Sequence, residues 1–373
     1  MSNSENPFSI GIAKAGSFCN RTKELEDLER VAKNGQKLVL ISPRRYGKSS
    51  LVLKVLEKLK HEGYKTVYID FFPISSEADF VSKLANSIIK ELGRGVEPHT
   101  FTEKLAKVFK KVIPRIELEQ SGVSFSFKLD NNVKDNVILE DILEGLYLYV
   151  KKNKEKICLA FDEFQEIVEL PESKKIEGIL RSNIQKHDNV SYFFIGSRRR
   201  VLRDMFADKN RPFYKSALFY ELQEIPEDEF SKYISERFKH TGKECSVSLA
   251  EKIYALVRGY PYYVQKLALF CWDLTEKVFT EDLLDNAYKL LLKNEAPGFE
   301  GIWSGLSISQ KNLLKAFSNE PTDKPFAKDY LNKYKISAGG VQKAIKALLD
   351  KDIIEKREDG YYRLTDPIMG RWF

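Results

Sequence analysis

Apolar positions along this chain follow two spacings, and the way they alternate predicts its architecture. Lys37-Leu38-Val39-Leu40-Ile41, Ile157-Cys158-Leu159-Ala160-Phe161 and Val190-Ser191-Tyr192-Phe193-Phe194-Ile195-Gly196 are short runs dominated by apolar residues, as strands covered on both faces are. Lys65-Thr66-Val67-Tyr68-Ile69-Asp70-Phe71 predicts another strand, and residues 218–222 a fifth. Helical periods fill the intervals: residues 18 to about 33, 48–61, 79–92, 102–111 and 139–152. A strand, a helix and a strand in this order form a parallel βαβ unit, so the expected fold class is α/β with a parallel sheet. Asn20 or Thr22 is expected to cap the first helix, with Glu24 and Glu26 in its first turn and Asn34-Gly35 ending it.

Residues 77–138 interrupt the alternation. Within them Ile116 and Leu118, then Val123, Phe125, Phe127 and Leu129, alternate with polar residues around Ser121-Gly122, which predicts a β-hairpin packed at the sheet edge. Residues 226–292 read as helical throughout, and residues 294–303, with Pro297, Gly298 and Gly301, read as a linker. Beyond it the pattern predicts helices at 309–317, 326–331 and 337–351, the last capped by Ser337. A hairpin then turns at Glu358-Asp359-Gly360. Three helices and a hairpin make a winged helix. The expected domains are therefore a core at 1–225, a helical domain at 226–295 and the winged helix at 304–373.

Composition narrows the class without naming a function. The 373 residues are 43% apolar and 31% charged, ordinary for a soluble globular chain of two or three domains. There is no apolar run of about 18 residues to predict a membrane helix. The N-terminus lacks the basic-then-apolar layout of a secretion signal. Cys19, Cys158, Cys245 and Cys271 are too scattered for a zinc site or disulfide framework, and a reducing cytoplasm fits them. A net charge of +7 permits nucleic-acid contact without requiring it.

The chemistry concentrates between the first strand and the helix after it, at Ser42-Pro43-Arg44-Arg45-Tyr46-Gly47-Lys48-Ser49. A strand, a loop and Gly-Lys-Ser at a helix start form the arrangement that cradles nucleotide phosphates, because unpaired N–H groups there carry partial positive charge. Lys48 is expected to reach the β- and γ-phosphates, and the Ser49 hydroxyl to ligate Mg2+. Ser42 stands where the pattern has its first glycine. Asp162-Glu163 ends an apolar strand, where ligands of open parallel sheets bind, so Asp162 is the expected metal-shell carboxylate and Glu163 the residue that polarises water. Ser197, ending the next strand, is the expected γ-phosphate sensor. Arg198, Arg199 and Arg200 read equally well as the solvated start of a helix.

Phe18-Cys19-Asn20-Arg21-Thr22-Lys23-Glu24-Leu25, the phosphate loop through Ser50, Asp162-Glu163-Phe164-Gln165, Gly196-Ser197 and Gly259-Tyr260-Pro261-Tyr262-Tyr263-Val264-Gln265 together resemble the archaeal-type ATPase family. That family belongs to the STAND branch of AAA+-related P-loop NTPases. The resemblance covers about residues 15–275 and implies a P-loop ASCE/AAA+-like core, a helical lid and an appended C-terminal domain. It also implies ATP as the nucleotide, held by Pro43, Arg44, Arg45, Tyr46, Gly47, Lys48, Ser49 and Ser50, with Arg21 near the adenine and Pro261 closing the lid. Similar proteins often carry arginine where Lys215 stands, so the resemblance implies slow hydrolysis here, or Arg211 as a substitute.

The expected activity is that of a Mg2+-dependent ATPase switch in which lid closure repositions the winged helix. Two other readings stay open. One is a DNA-binding regulator that uses ATP mainly as a ligand, with Lys343, Lys346 and Lys351 on the outer face of the last helix and Gln342 near bases. The other is a protein-interaction scaffold with a weak nucleotide site. The expected partners are ATP and ADP, and DNA or a protein through the winged helix, with no membrane.

Overall fold

In the computed structural model, which describes residues 5–12, 18–19, 21–94, 96–119, 122–129, 134–357 and 359–373, each of the five apolar runs forms a strand of one parallel sheet. Asn20, Ser121 and Glu358 lie outside the described residues. The chain divides into two units, Arg21–Gln223 and Glu224–Phe373, the second joined by the described leader residues.

Along the first unit run α1 (Thr22–Lys33), β1 (Lys37–Ile41), α2 (Lys48–His61), β2 (Lys65–Asp70), α3 (Glu77–Gly93), α4 (Pro98–Ala106), β3 (Val112–Glu119), β4 (Gly122–Leu129) and α5 (Asp135–Asn153). Then come β5 (Ile157–Asp162), a 3-10 helix (Phe164–Glu169), α6 (Ser173–Ile184), β6 (Val190–Gly196), α7 (Arg199–Ala207) and β7 (Leu218–Glu221). The sheet order is β2-β5-β6-β1-β7, with every pair parallel. Strand β6 therefore lies between β1, which leads into the phosphate loop, and β5, which ends in Asp162. All residues of β5 and β6 are buried, which explains why their sequences show no polar alternation. On β2, Val67 and Ile69 enter the main apolar core, while Thr66 and Tyr68 point to the other face and stay half-buried.

Three expectations about this unit change. Arg21, not Asn20 or Thr22, occupies the N-cap of α1, and no side chain caps that helix. Helix α4 starts earlier than residue 102, because Pro98 sits in its first turn and the Glu97 carboxylate accepts the His99 and Thr100 amides at 3.0 and 2.7 Å. It ends before residue 111, where the amides of Lys110 and Lys111 turn to the Asp141 carboxylate. The hairpin forms, as β3 and β4, but as its own two-stranded sheet packed on α3, α4 and α5. It does not extend the main sheet, whose edges are β2 and β7.

The second unit holds α8 (Glu227–His240), α9 (Val247–Leu256), α10 (Pro261–Leu274), α11 (Glu281–Ser304), α12 (Ile308–Asn319), α13 (Lys328–Tyr334), α14 (Ala338–Asp350), β8 (Ile354–Lys356), β9 (Tyr362–Leu364) and α15 (Met369–Trp372). Elements α12 to β9 are the winged helix. Ser337 caps α14 by accepting the Gly340 amide, and Val341, Ala344, Ile345 and Leu348 form its buried stripe. The linker expected at 294–303 is instead the end of α11. Pro297 in a helix interior costs about 3 kcal/mol, but Phe299 is buried and the Trp303 ring packs tilted against Phe373 with centroids 4.8 Å apart, so aromatic packing offsets the break. The polar leader also has an apolar anchor, Phe8, buried against Phe238 of α8.

Candidate functional site

The phosphate loop joins β1 to α2 through a backbone that its residue types determine. Gly47 has a φ of 90°, in the left-handed region that glycine enters without a Cβ penalty, and it is the N-cap of α2. Serine is tolerated at position 42, outside that region; its side chain is fully buried. Lys48 is buried too, and its Nζ donates to the Pro43 carbonyl at 2.9 Å and to the carbonyl and hydroxyl of Ser42 at 3.1 and 3.3 Å. Pro43 and Tyr46 are buried, whereas Arg44 and Arg45 are exposed and Gly47, Ser49 and Ser50 half-buried.

Strand order brings the remaining groups to this loop. Ser49 Oγ donates to Asp162 Oδ2 at 2.6 Å, and the Tyr68 hydroxyl donates to the same oxygen. Asp162 Oδ1 accepts the Glu163 amide at 2.9 Å. Glu163 has a left-handed φ of 49°, which turns its carboxylate toward β6; there Oε2 accepts from Ser197 Oγ at 3.0 Å and from Gln165 Nε2. Arg44 Nε reaches Ser197 Oγ at 3.3 Å. Burial, then the Asp162 carboxylate, pushes the Tyr68 hydroxyl well above its ordinary value, so it remains a donor at neutral pH.

Gly196 has a steric reason to be glycine. A Cβ there would lie 1.9 Å from Gln165 Oε1, and that oxygen is buried without a hydrogen-bond partner. Neither Gln165, though within a family motif, nor Tyr68 is among the site residues expected from sequence. Tyr68 was detectable as the inward polar group on a strand that ends beside Asp162, since Asp70 and Asp162 are register partners.

Other expected site residues make different contacts. Arg21, only 4% exposed, donates to Glu24 at 2.9 Å, to the Gln223 carbonyl at 2.8 Å and to the Tyr46 carbonyl at 3.3 Å, tying the loop to the end of the unit. Arg211, the expected substitute for arginine at 215, instead makes a two-pronged ion pair with Glu177 of α6, a carboxylate with no exposure. Burial raises Glu177 above the ordinary carboxylate range, and the Arg211 charge opposes the rise. Lys215 is exposed and lies over the Tyr214 ring at 5.3 Å. Arg198 pairs with Glu169 at 2.7 Å, and Arg199 and Arg200 open α7. Pro261 is a buried first-turn residue of α10, in the second unit.

The donor set fits what the loop implies. A hydroxyl and a carboxylate held together are hard oxygen ligands of the kind Mg2+ takes, and a glycine-turned helix start suits phosphate. Among the described residues no helix is long and apolar enough to cross a membrane.

A family model described as an ATPase domain predominantly from Archaea matches residues 18–267, and one described as a probable winged helix domain matches residues 297–373. Among solved structures, the Walker-type ATPase PABY2304 of Pyrococcus abyssi superposes with a TM-score of 0.70 at 16% identity, covering 98% of each chain. The ORC2 protein of Aeropyrum pernix, in its ADPNP–ADP complexes, gives 0.58 at 15% identity, covering 92% of this chain and 89% of that one. The Aeropyrum pernix ORC1 protein in complex with DNA gives 0.50 at 13%, covering 95% and 91%. At these identities the likeness establishes fold alone. A comparison with curated proteins gave no match.

Proposed function

The chain belongs to the family of ATPase domains predominantly from Archaea, and on that premise we propose a Mg2+-dependent ATP switch that turns over slowly and passes its state to the winged helix. One observation carries the reading: a continuous hydrogen-bonded path from Ser49 through Asp162 and Glu163 to Ser197 and Arg44. It links the phosphate loop to two neighbouring strand ends, where metal shell, water and γ-phosphate must meet.

Each residue then has a task. Lys48 exchanges the Ser42 and Pro43 carbonyls for the β- and γ-phosphates, and the α2 amides hold phosphate oxygens. Ser49 and Asp162 would hold Mg2+, which supplies Lewis-acid neutralisation of the phosphates when bound. Glu163 orients water and accepts its proton. Ser197 shares its hydroxyl with Glu163 and Arg44, so a group that draws on Ser197 also alters Glu163. Arg21 steadies the loop from the side assigned to the adenine. Two features support slow turnover: Lys215 is exposed where similar proteins carry arginine, and Arg211 is committed to Glu177.

Residues 226–295 are the proposed lid, with Pro261 at its closing edge. Two residues on, Tyr263 donates to Asp366, whose other oxygen accepts the Ile368 and Met369 amides at 3.0 Å each. On the same helix Lys266 pairs with Glu295, which also accepts the Tyr262 hydroxyl at 3.0 Å. A partly buried polar junction of this kind has few alternative arrangements, so motion of α10 carries the C-terminal segment with it.

DNA is the second reading for the winged helix. Gln342, Lys343, Lys346 and Lys351 are all exposed along and just beyond α14, and the ORC1 protein with which the chain shares its fold is described in complex with DNA. None of the four cysteines forms a disulfide, compatible with the proposed cytoplasmic setting. Glu163→Gln tests the main reading. The variant is expected to bind ATP as the wild type does and to lose steady-state hydrolysis; wild-type hydrolysis would remove Glu163 from the mechanism.

A further inference from the structure

We propose that Tyr68 is a positioning residue for the metal shell, fixing the Asp162 carboxylate in the orientation that receives Mg2+; the proposal rests on the ATP–Mg2+ reading above. A carboxylate has about four acceptor directions and two rotatable bonds of its own. At Asp162 three directions are taken: Ser49 Oγ at 2.6 Å and the Tyr68 hydroxyl on Oδ2, and the Glu163 amide at 2.9 Å on Oδ1. Three donors from three elements hold the group in a single orientation. One acceptor direction, on Oδ1, remains with which Asp162 would serve the metal shell. Ser49 can donate its proton to Oδ2 while its lone pairs face a cation, so the contact persists in the loaded site.

The strand pattern explains why a tyrosine reaches this carboxylate. Tyr68 pairs in register with Ala160, whose methyl group leaves room for a ring to lean across β5 toward Asp162, two residues on and on the same face. Val67 and Ile69 hold β2 to the core from the opposite face. The phenol is thus anchored on a rigid strand, whereas Ser49 sits on the loop-to-helix junction that handles nucleotide. Such outer partners of a metal ligand typically change metal affinity by about 10- to 100-fold when removed.

The test is a titration of the full chain with a fluorescent ATP analogue at a series of Mg2+ concentrations, for the wild type, Tyr68→Phe and Tyr64→Phe, a buried tyrosine before the same strand. Tyr68→Phe is expected to bind the analogue without Mg2+ as the wild type does, and to need about tenfold more Mg2+ for half of the Mg2+-dependent gain in affinity. Tyr64→Phe is expected to match the wild type. Should Tyr68→Phe not fold, Tyr68→Met, which also lacks the donor, carries the same expectation. An unchanged or lowered Mg2+ requirement in a folded variant overturns the proposal alone. A wild type whose affinity ignores Mg2+ overturns the underlying ATP–Mg2+ reading, and the proposal with it.

Discussion

Arg211→Met separates a structural from a catalytic arginine. The guanidinium is paired with Glu177, whose side chain has no exposure, while Arg211 retains 17%. Removing one partner of a buried pair strands the other charge, at a cost of about 3–5 kcal/mol. For a unit the size of Arg21–Gln223 that lowers the melting temperature by roughly 6–20 °C. Hydrogen exchange in α6 and α7 should accelerate. The pH dependence has a definite sign. Burial raises Glu177 above its ordinary value of 4.5, so the folded state binds the proton more tightly than the unfolded chain. The associated stability is fully present below that ordinary value and is lost as pH rises through the folded one. Without Arg211 the folded value climbs further, so the deficit should be smaller at pH 5 than at pH 8. Changing both residues, as Glu177→Leu with Arg211→Met, should recover most of the loss, because no charge is then stranded. Wild-type melting of Arg211→Met at both pH values, combined with lost hydrolysis, would refute this reasoning and return Arg211 to the γ-phosphate.

Tyr263→Phe removes the hydroxyl from Asp366 and is expected to leave ATP affinity unchanged while abolishing any ATP-dependent change in proteolysis of the winged helix; a wild-type proteolysis response would show that the junction does not transmit. Lys343→Glu with Lys346→Glu tests the DNA reading. A gel shift with steep salt dependence should weaken in the double variant by a similar factor for all sequences, whereas no binding by the wild type would leave the winged helix to protein contacts.

What the sequence made legible was local. The ends of β1 and α2 follow from an apolar run, a glycine that permits a left-handed turn and a helical period, all within 25 consecutive residues from Lys37 to His61. Ser197 was legible only as the end of an apolar strand; the strand order, with β6 parallel to both β1 and β5, is what brings that end to the same edge as theirs. The pairs that define the site's wiring were not legible. Tyr68 and Asp162 are 94 residues apart, and Arg211 and Glu177 34 apart, joined by strand order and helix packing rather than by pattern. The helix through Pro297 is hidden from local pattern for a related reason: it persists through contacts of Phe299 and Trp303 with Trp372 and Phe373.

Whether the loop holds nucleotide is decided by calorimetric titration of ATP with Mg2+ into the wild type and Lys48→Ala. Lys48 is the buried cation that the loop carbonyls of Ser42 and Pro43 hold, and the β- and γ-phosphates are its proposed ligands. Saturable, Mg2+-dependent binding by the wild type and none by a folded Lys48→Ala is the predicted result; equal affinity in the two proteins would contradict it.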